Sequence, residues 1–432
     1  MRRARASRTA ASSGAAILTL IACVWLPVIA GAQAPSPTPG AVPPPTPVLL
    51  PNGQTSPSPF PSTLRTPEGA AVLPELDGRA YILVDLDTGQ VLASRAATDR
   101  LPVASLTKIM TAVLVLERTR LHDVVEVTPE AAGDGVTAGV SELGLVAGER
   151  IRVEDLLYAL LLQSANDAAV ALAEHVSGSV DAFVADMNTR ARRLGLRDTR
   201  FFSPNGLDDR GFSTAADLVA LTSAAYRRPG FATIVATKLH EIPAPDGAPP
   251  RTVQNRNVLL WLYPGAVGVK TGFTTPAGFC IVAVAERDGV RLAAVVLGGV
   301  NEVFSEAATL LDHGFTAFER REVITVGEAL GTVDVGGRPV EVTSGGSLQA
   351  LVPVDAEVRR RIVVDGAVGF PPLPGEDIGT VVVSVPGLRI GEVPLEVHEV
   401  PPPPPPDPGP WWRRAASAVL DGVGAVLDAL FG

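Results

Sequence analysis

The chain has 432 residues, 46% of them hydrophobic, with a formal net charge of −10. That length and apolar content support about two to three domains with cores of their own. The acidic balance argues against a nucleic-acid partner, and two cysteines, Cys23 and Cys280, exclude a small scaffold stapled by disulfides.

Residues 1–32 read as a signal peptide. Arg2, Arg3, Arg5 and Arg8 precede an apolar run from Ala15 to Ala30, and Ala30-Gly31-Ala32 offers small residues for cleavage. Losing this segment takes the charge to −14 and removes Cys23, leaving Cys280 in a strand-like apolar run where it reads as core. Leu20-Ile21-Ala22-Cys23 resembles a lipoprotein processing signal, but the apolar run continues past the cysteine; an uncleaved anchor is the other alternative. Residues 33–66 are rich in Pro, Ser and Thr and lack a hydrophobic period. Such a segment buries too little to offset its ordering entropy, so a linker is expected, reaching up to ~100 Å at about 3.1 Å per residue.

Order is expected from about residue 67, in a first domain running to 320. Tyr81 to Leu86 and Val91 to Ser94 flank Asp87-Thr88-Gly89-Gln90, a β-hairpin pattern. After Pro102 a helix is expected to open near Ser105 and run to Leu116. Val153 to Val176 carries a helical period interrupted at Gln163-Ser164-Ala165-Asn166-Asp167, whose polar side chains compete with helix through local hydrogen bonds. Val180 to Leu194 reads as an amphipathic helix, Phe201 to Leu207 as a turn-rich loop, and Ser213 or Thr214 as the cap of a helix through Tyr226. Lys238 falls in a plausible strand. Beyond a Pro-rich loop at 243–250, strands are expected at Val269 to Thr271, Phe279 to Ala285 and Arg291 to Leu297, which with the early hairpin make one antiparallel sheet packed by helices.

Residues 321–400 change character. Val323 to Val326, Val340 to Val342, Arg361 to Val364 and Val381 to Val385 alternate with turn residues, a small all-β domain. Residues 401–410 open with six prolines, a stiff spacer. Residues 411–432 follow as an amphipathic helix with Val419, Val423, Val426, Leu427, Leu430 and Phe431 on one face and Asp421 and Asp428 opposite. An aspartate at mid-membrane costs roughly 2.5–3.5 kcal/mol, so a helix lying on the membrane surface is expected rather than one that spans it. A helix docked on the protein's own surface is the alternative.

The chemistry starts from lysine. The chain has 33 arginines and three lysines, Lys108, Lys238 and Lys270. Arginine keeps its proton, whereas a buried lysine can give it up and act as a base. Lys108 lies three residues after Ser105, on the same helical face and within reach of its hydroxyl. A serine three residues from a lysine is by itself usually two surface residues. Two further groupings follow in order, Ser164-Ala165-Asn166 and Lys270-Thr271-Gly272. Each is bland alone, but two of only three lysines fall in the set.

Together with Ser203 to Leu207, Ser213 to Leu218, Gly272-Phe273-Thr274 and Ala277-Gly278, these motifs make the chain resemble the low-molecular-mass penicillin-binding proteins that are serine D-alanyl-D-alanine carboxypeptidases, peptidase family S11. The resemblance covers about Leu76 to Val400. It implies an α/β (α+β) fold of transpeptidase type, with an antiparallel sheet packed by helices and a small all-β domain behind it. It further implies removal of the terminal D-alanine from peptidoglycan pentapeptides through an acyl-enzyme, with β-lactams as inhibitors. Ser105 would be the nucleophile, Lys108 its base, Ser164 the proton relay to the leaving amine and Asn166 the holder of the substrate amide. Lys270 and Thr271 would meet the terminal carboxylate, and Lys270 would keep Lys108 deprotonated. Gly272 would let substrate backbone lie against the strand, and the N–H groups of Ser105 and Phe273 would form the oxyanion hole.

Some relatives carry histidine in place of Phe273, and some carry an arginine after the last sheet strand, where Gly298 to Glu306 has no basic residue. A DD-endopeptidase and a β-lactamase share the motifs, though the Glu-x-x-Leu-Asn pattern of class A β-lactamases is missing between Asn166 and Lys270. From another class, a catalytically silent wall-binding or penicillin-sensing module also fits. No cofactor is expected, and no metal, since His122, His175, His240, His313 and His398 are scattered without ligand spacing. A monomer is expected, exported to the outer face of the cytoplasmic membrane.

Overall fold

The computed structural model describes residues 73–134, 141–244, 249–301, 303–366, 368, 371–386, 388–400 and 411–431. The signal peptide, the linker and the proline spacer lie outside these residues. The described residues all belong to one compact unit, Pro45–Gly432.

A β-hairpin comes first, β1 (Ala80–Asp85) and β2 (Val91–Arg95), then a single 3₁₀ turn at Ala104–Thr107 that runs into α1 (Lys108–Arg118). A small ribbon of β3 (Val124–Glu126) and β4 (Arg150–Arg152) leads to α2 (Val153–Tyr158), α3 (Asn166–Ser177), α4 (Val180–Arg193), α5 (Ala215–Tyr226) and α6 (Phe231–Ala236). A second ribbon, β5 (Leu239–Ile242) with β6 (Arg251–Gln254), and the one-turn α7 (Leu259–Leu262) precede β7 (Ala266–Thr274), β8 (Gly278–Arg287), β9 (Val290–Gly299) and α8 (Val303–Ala317). Seven strands follow: β10 (Phe318–Ile324), β11 (Ala329–Val335), β12 (Arg338–Ser344), β13 (Leu348–Pro353), β14 (Arg359–Val364), β15 (Asp377–Val385) and β16 (Leu388–Glu399). The last helix is α9 (Trp411–Phe431).

The central sheet has the order β2-β1-β9-β8-β7, antiparallel throughout. Side chains alternate across a strand. On β8, Cys280, Val282 and Val284 enter the core under the helices, while Ile281, Ala283 and Ala285 enter a second core on the opposite face. Both faces are covered, which is why β8 and β9 read as nearly unbroken apolar runs. The second face is closed by α8, whose Val303, Ala307, Leu310 and Leu311 are buried. The sequence reading places no element there, although Val303, Ala307, Leu310 and Leu311 recur at helical spacing.

α1 is the central helix. Every residue from Lys108 to Val115 is buried, so this element is enclosed on all sides and carries its first lysine into the core. α5 opens at Thr214, whose hydroxyl accepts from the Asp217 backbone N–H at 3.0 Å, one of the two caps anticipated. Lys238 sits at a bend just before β5 rather than inside a strand, its ammonium 5.8 Å from the Trp261 ring centre.

The later strands form a five-stranded sheet, β11-β12-β16-β15-β14, and a pair, β10 with β13, around their own core of Val340, Val381, Val383 and Leu395 among others. β10 starts at Phe318 and ends at Ile324, so the strand expected at 323–326 begins five residues earlier. Leu351 of β13 reaches back into the core under α8. The Gln90 side chain clasps both backbone groups of Leu351, accepting from its N–H at 3.1 Å and donating to its carbonyl, and Arg320 meets the buried Asp85 at 3.4 Å. In α9 no residue is buried, so this helix is not docked on the surface of the described chain.

Candidate active site

The cleft lies where the start of α1 meets the outer edge of β7. It holds about 440 Å³ and is lined by Ser105, Ser141, Ser164, Asn166, Leu207, Arg256, Thr271, Gly272 and Phe273, with Phe279, Cys280, Val303 and Phe304 behind.

Two strained backbone positions present its polar groups. Ala104, immediately before Ser105, has φ +47°, and Ser164 has φ +69°; both are left-handed conformations that non-glycine residues hold at a cost of about 1–3 kcal/mol. The helical path from α2 loosens into a π-type turn at Ala159–Gln163, and the left-handed Ser164 ends it before α3 starts at Asn166. The break between helices anticipated in this stretch therefore turns Ser164 and Asn166 to the cleft.

Lys108 is fully buried, with three neighbours for its amine. Its Nζ lies 3.0 Å from Ser105 Oγ, 2.7 Å from Asn166 Oδ1 and 2.8 Å from the carbonyl oxygen of Asn205. A neutral amine has two N–H groups and one lone pair. The two oxygens that cannot donate, Asn166 Oδ1 and Asn205 O, take the N–H groups, and the lone pair is left facing the serine hydroxyl. The Lys108 pKa is pushed well below its ordinary value, first by burial and then by the charges of Lys270 and Arg256, against the opposing pull of Asp167. Lys270 was expected to be the main cause; exclusion from water outranks it.

Lys270 is buried too, its Nζ donating to the Thr271 carbonyl at 2.8 Å, and burial together with Arg256 brings its pKa down to about 7. Gly272 has a structural reason besides the one expected from substrate binding. A Cβ there would lie 3.0 Å from the Ser105 nitrogen, 3.2 Å from the Val103 oxygen and 3.3 Å from the Leu106 nitrogen. A side chain here would crowd the backbone of the turn carrying Ser105, so glycine lets β7 press closely against that turn whether or not substrate is bound. Phe273 is 54% exposed and tilts against Phe279, ring centres 4.6 Å apart.

Six of the eight predicted residues, Ser105, Ser164, Asn166, Thr271, Gly272 and Phe273, line this cleft, and Lys108 and Lys270 are buried beside them; five supports had no role in the sequence reading. Asn205 supplies the second acceptor for Lys108. Gly206 holds that loop down: at φ +82°, a Cβ would fall 2.0 Å from the Ala104 oxygen, and Thr111 further ties the loop by donating to the Pro204 carbonyl at 2.6 Å. Asp167 accepts from the backbone N–H groups of Leu143, Gly144, Leu145 and Ala168 at 2.8–3.1 Å, fixing the wall that contains Ser141.

Arg256 is the fifth. It sits between two buried asparagines that brace the chain: Asn255 donates to the carbonyls of Val235 and Thr237, and Asn257 accepts from the Leu259 N–H. Arg256 lines the cleft and forms no ion pair among the described residues. Asn-Arg-Asn, with turn-forming residues on both sides of a cation, was the available signal. Cys280 lies behind the cleft with its thiol pushed up to about 11 by burial, consistent with a core residue.

This fold, with a serine hydroxyl set against a buried amine beside a free sheet edge, defines the class as a serine peptidase. The family model described as D-alanyl-D-alanine carboxypeptidase, peptidase S11, matches residues 67–301. D-alanyl-D-alanine carboxypeptidase DacF of Bacillus subtilis (strain 168) is 30% identical over 75% of this chain and 85% of its own length. DacC of Escherichia coli (strain K12), of the same description, is 33% identical over 79% and 88%. Among solved structures, penicillin binding protein 5 of Haemophilus influenzae is similar at a TM-score of 0.65 and 30% identity, covering 76% of this chain and 99% of that one. The chain belongs to the D-alanyl-D-alanine carboxypeptidase family, peptidase S11.

Proposed function

We propose that this serine-type D-Ala-D-Ala carboxypeptidase removes the terminal D-alanine of peptidoglycan pentapeptides through an acyl-enzyme on Ser105. The observation that carries the reading is the buried Lys108 amine, held by two acceptors with its lone pair at 3.0 Å from the Ser105 hydroxyl. Lys108 takes the hydroxyl proton as Oγ bonds to the scissile carbonyl, and the N–H groups of Ser105 and Phe273 hold the oxyanion. The C–N bond then breaks, and the proton passes through Ser164 to the departing D-alanine amine. Asn166 has its Oδ1 committed to Lys108, which leaves its Nδ2 to hold the substrate amide. Lys270, Thr271 and Arg256 hold the terminal carboxylate, and water releases the shortened stem from Ser105. Penicillins enter the same path, opening their lactam on Ser105.

A muropeptide digest followed by mass spectrometry tests this. Loss of one alanine from pentapeptides is expected; cut cross-links would favour the endopeptidase, rapid hydrolysis of penicillin the β-lactamase, and no change the silent module. Ser105→Ala is expected to abolish both that loss and labelling by a fluorescent penicillin.

Family membership places the enzyme's work in the cell envelope. Export, a monomeric state and attachment to the outer face of the cytoplasmic membrane are part of this proposal. α9 supports the attachment: its Trp411, Val419, Leu427, Leu430 and Phe431 are all exposed, and among the described residues no single helix is long and apolar enough to cross a membrane. Deleting 411–432 is expected to move the protein from the membrane to the soluble fraction; retention on the membrane would overturn the attachment.

A further inference from the structure

β7 is the edge strand of its sheet, so one row of its backbone groups is free to pair with an extended peptide. On the carboxypeptidase reading, on which this inference rests, the substrate's carboxylate lies at Lys270 and Thr271 and its scissile carbonyl at Ser105 and Phe273. The stem therefore runs antiparallel to β7, and the residue preceding the scissile D-alanine comes to lie beside Thr274, the last residue of the strand.

The groups gathered there are distinctive. Leu207, Phe273 and Phe279 line that end of the cleft with apolar surface. Asp209 is fastened to it: the Thr274 hydroxyl accepts from the Ala277 N–H at 3.3 Å and donates to Asp209 Oδ1 at 3.2 Å. Asp209 is exposed and forms no ion pair among the described residues. Its neighbour Asp208 is already engaged by Arg210, which meets both carboxylate oxygens at 2.6–3.2 Å. Lys270 and Thr274 are four residues apart, about 13 Å along a strand at roughly 3.3 Å per residue. The cleft edge thus carries a cation at one end and a free carboxylate at the other, with apolar walls between.

We infer that Asp209, clipped to Thr274, is a specificity residue that receives an ammonium-bearing side chain on the stem residue preceding the scissile D-alanine. The methylenes of that side chain pack on Leu207 and Phe273 while its charged end reaches the carboxylate. Asp209 lies outside the proton-transfer chain, so its effect falls on substrate choice.

Two peptides that differ in one charge test this: Nα-acetyl-L-Lys-D-Ala-D-Ala, and the same peptide acetylated also on its side-chain amine. The full-length enzyme is expected to favour the free amine in kcat/KM by up to about fivefold at low ionic strength, the range of an exposed ion pair. The preference should shrink with added salt. Asp209→Asn keeps an acceptor for Thr274 but removes the charge, and is expected to bring the ratio to about one. Thr274→Val keeps the charge but frees the carboxylate, and is expected to lower the ratio by half or more. Equal rates for the two peptides with the unaltered enzyme, or an undiminished preference in Asp209→Asn, would overturn the inference while leaving the carboxypeptidase reading intact. Failure to release D-alanine from either peptide would instead overturn that reading, and the inference with it.

Discussion

Gly272 and the backbone nitrogen of Ser105 are so close that a single added methyl group would stand 3.0 Å from that nitrogen. The contact joins the two halves of the proposed oxyanion hole, because Ser105 lies in the turn that runs into α1 and Phe273 follows Gly272 on β7. Gly272→Ala is expected to push the turn away and cost about 10²-fold in acylation rate, the order lost when one donor is removed. Stopped-flow measurement of penicillin acylation checks this. A rate equal to that of the unaltered enzyme would mean that the close approach has no bearing on the donor.

The Lys108 amine is buried between two acceptors, Asn166 Oδ1 and Asn205 O, and faces the Ser105 hydroxyl. A guanidinium does not give up its proton, so Lys108→Arg puts a permanent charge where the neutral amine stood and loses the base. A loss of about 10²–10⁴-fold in kcat is expected, with circular dichroism unchanged. Normal turnover by this variant would remove Lys108 from the proton-transfer role.

The pH dependence follows from two buried lysines working in opposite senses. Lys108 must be neutral to accept a proton, so kcat/KM rises with pH through its lowered pKa. Lys270 must be charged to hold a carboxylate, and its folded-state pKa of about 7 lies below the ordinary 10.5. Binding of a D-Ala-D-Ala peptide should therefore weaken as pH rises through about 7, and Lys270→Arg should lose that alkaline limb. For stability the sign is reversed. Between about 7 and 10.5 the unfolded chain holds a proton that the native chain has released, so this group's contribution grows with pH there and is unfavourable below about 7. A kcat/KM profile from pH 5 to 10 tests the first statement and urea midpoints over the same range the second.

Arg256 faces the cleft without a carboxylate partner. Arg256→Gln is expected to raise KM for a D-Ala-D-Ala peptide about tenfold, the scale of a charged hydrogen bond, and to leave a C-terminally amidated peptide little affected. Because Arg256 also lowers the pKa of Lys108 and Lys270, the variant should move both limbs of the pH profile upward. Equal effects on the two peptides would remove the carboxylate role.

The legible part of the site was the part written in short spacings. Ser105 and Lys108 are three residues apart on one turn, and the break at Ser164 is visible as a polar interruption of an apolar period. The central sheet was legible for a similar reason, since β8 and β9 are long apolar runs joined by an Asp-Gly turn. What escaped depends on contacts between distant segments. Arg256 reaches the cleft only because Asn255 and Asn257 anchor the chain to α6 and α7. Asn205 matters only because Gly206 lets its loop sit on Ala104. For Gly272 the crowding against Ser105 was not legible, because that partner lies 167 positions earlier in the chain. Even the depressed pKa of Lys108 owes most to its enclosure by the core, which no motif encodes.

The strand order has a consequence for how the enzyme comes into being. β1 pairs with β9, Ala80 opposite Leu297, while the nucleophile's turn waits for β7 to close beside it. The proposed oxyanion hole is not assembled until the segments carrying Ser105 and Phe273, more than 150 residues apart, have met, a step slowed by its long loop closures. A penicillin added during refolding therefore counts finished molecules: the covalent label is a stopwatch for the closure of the sheet.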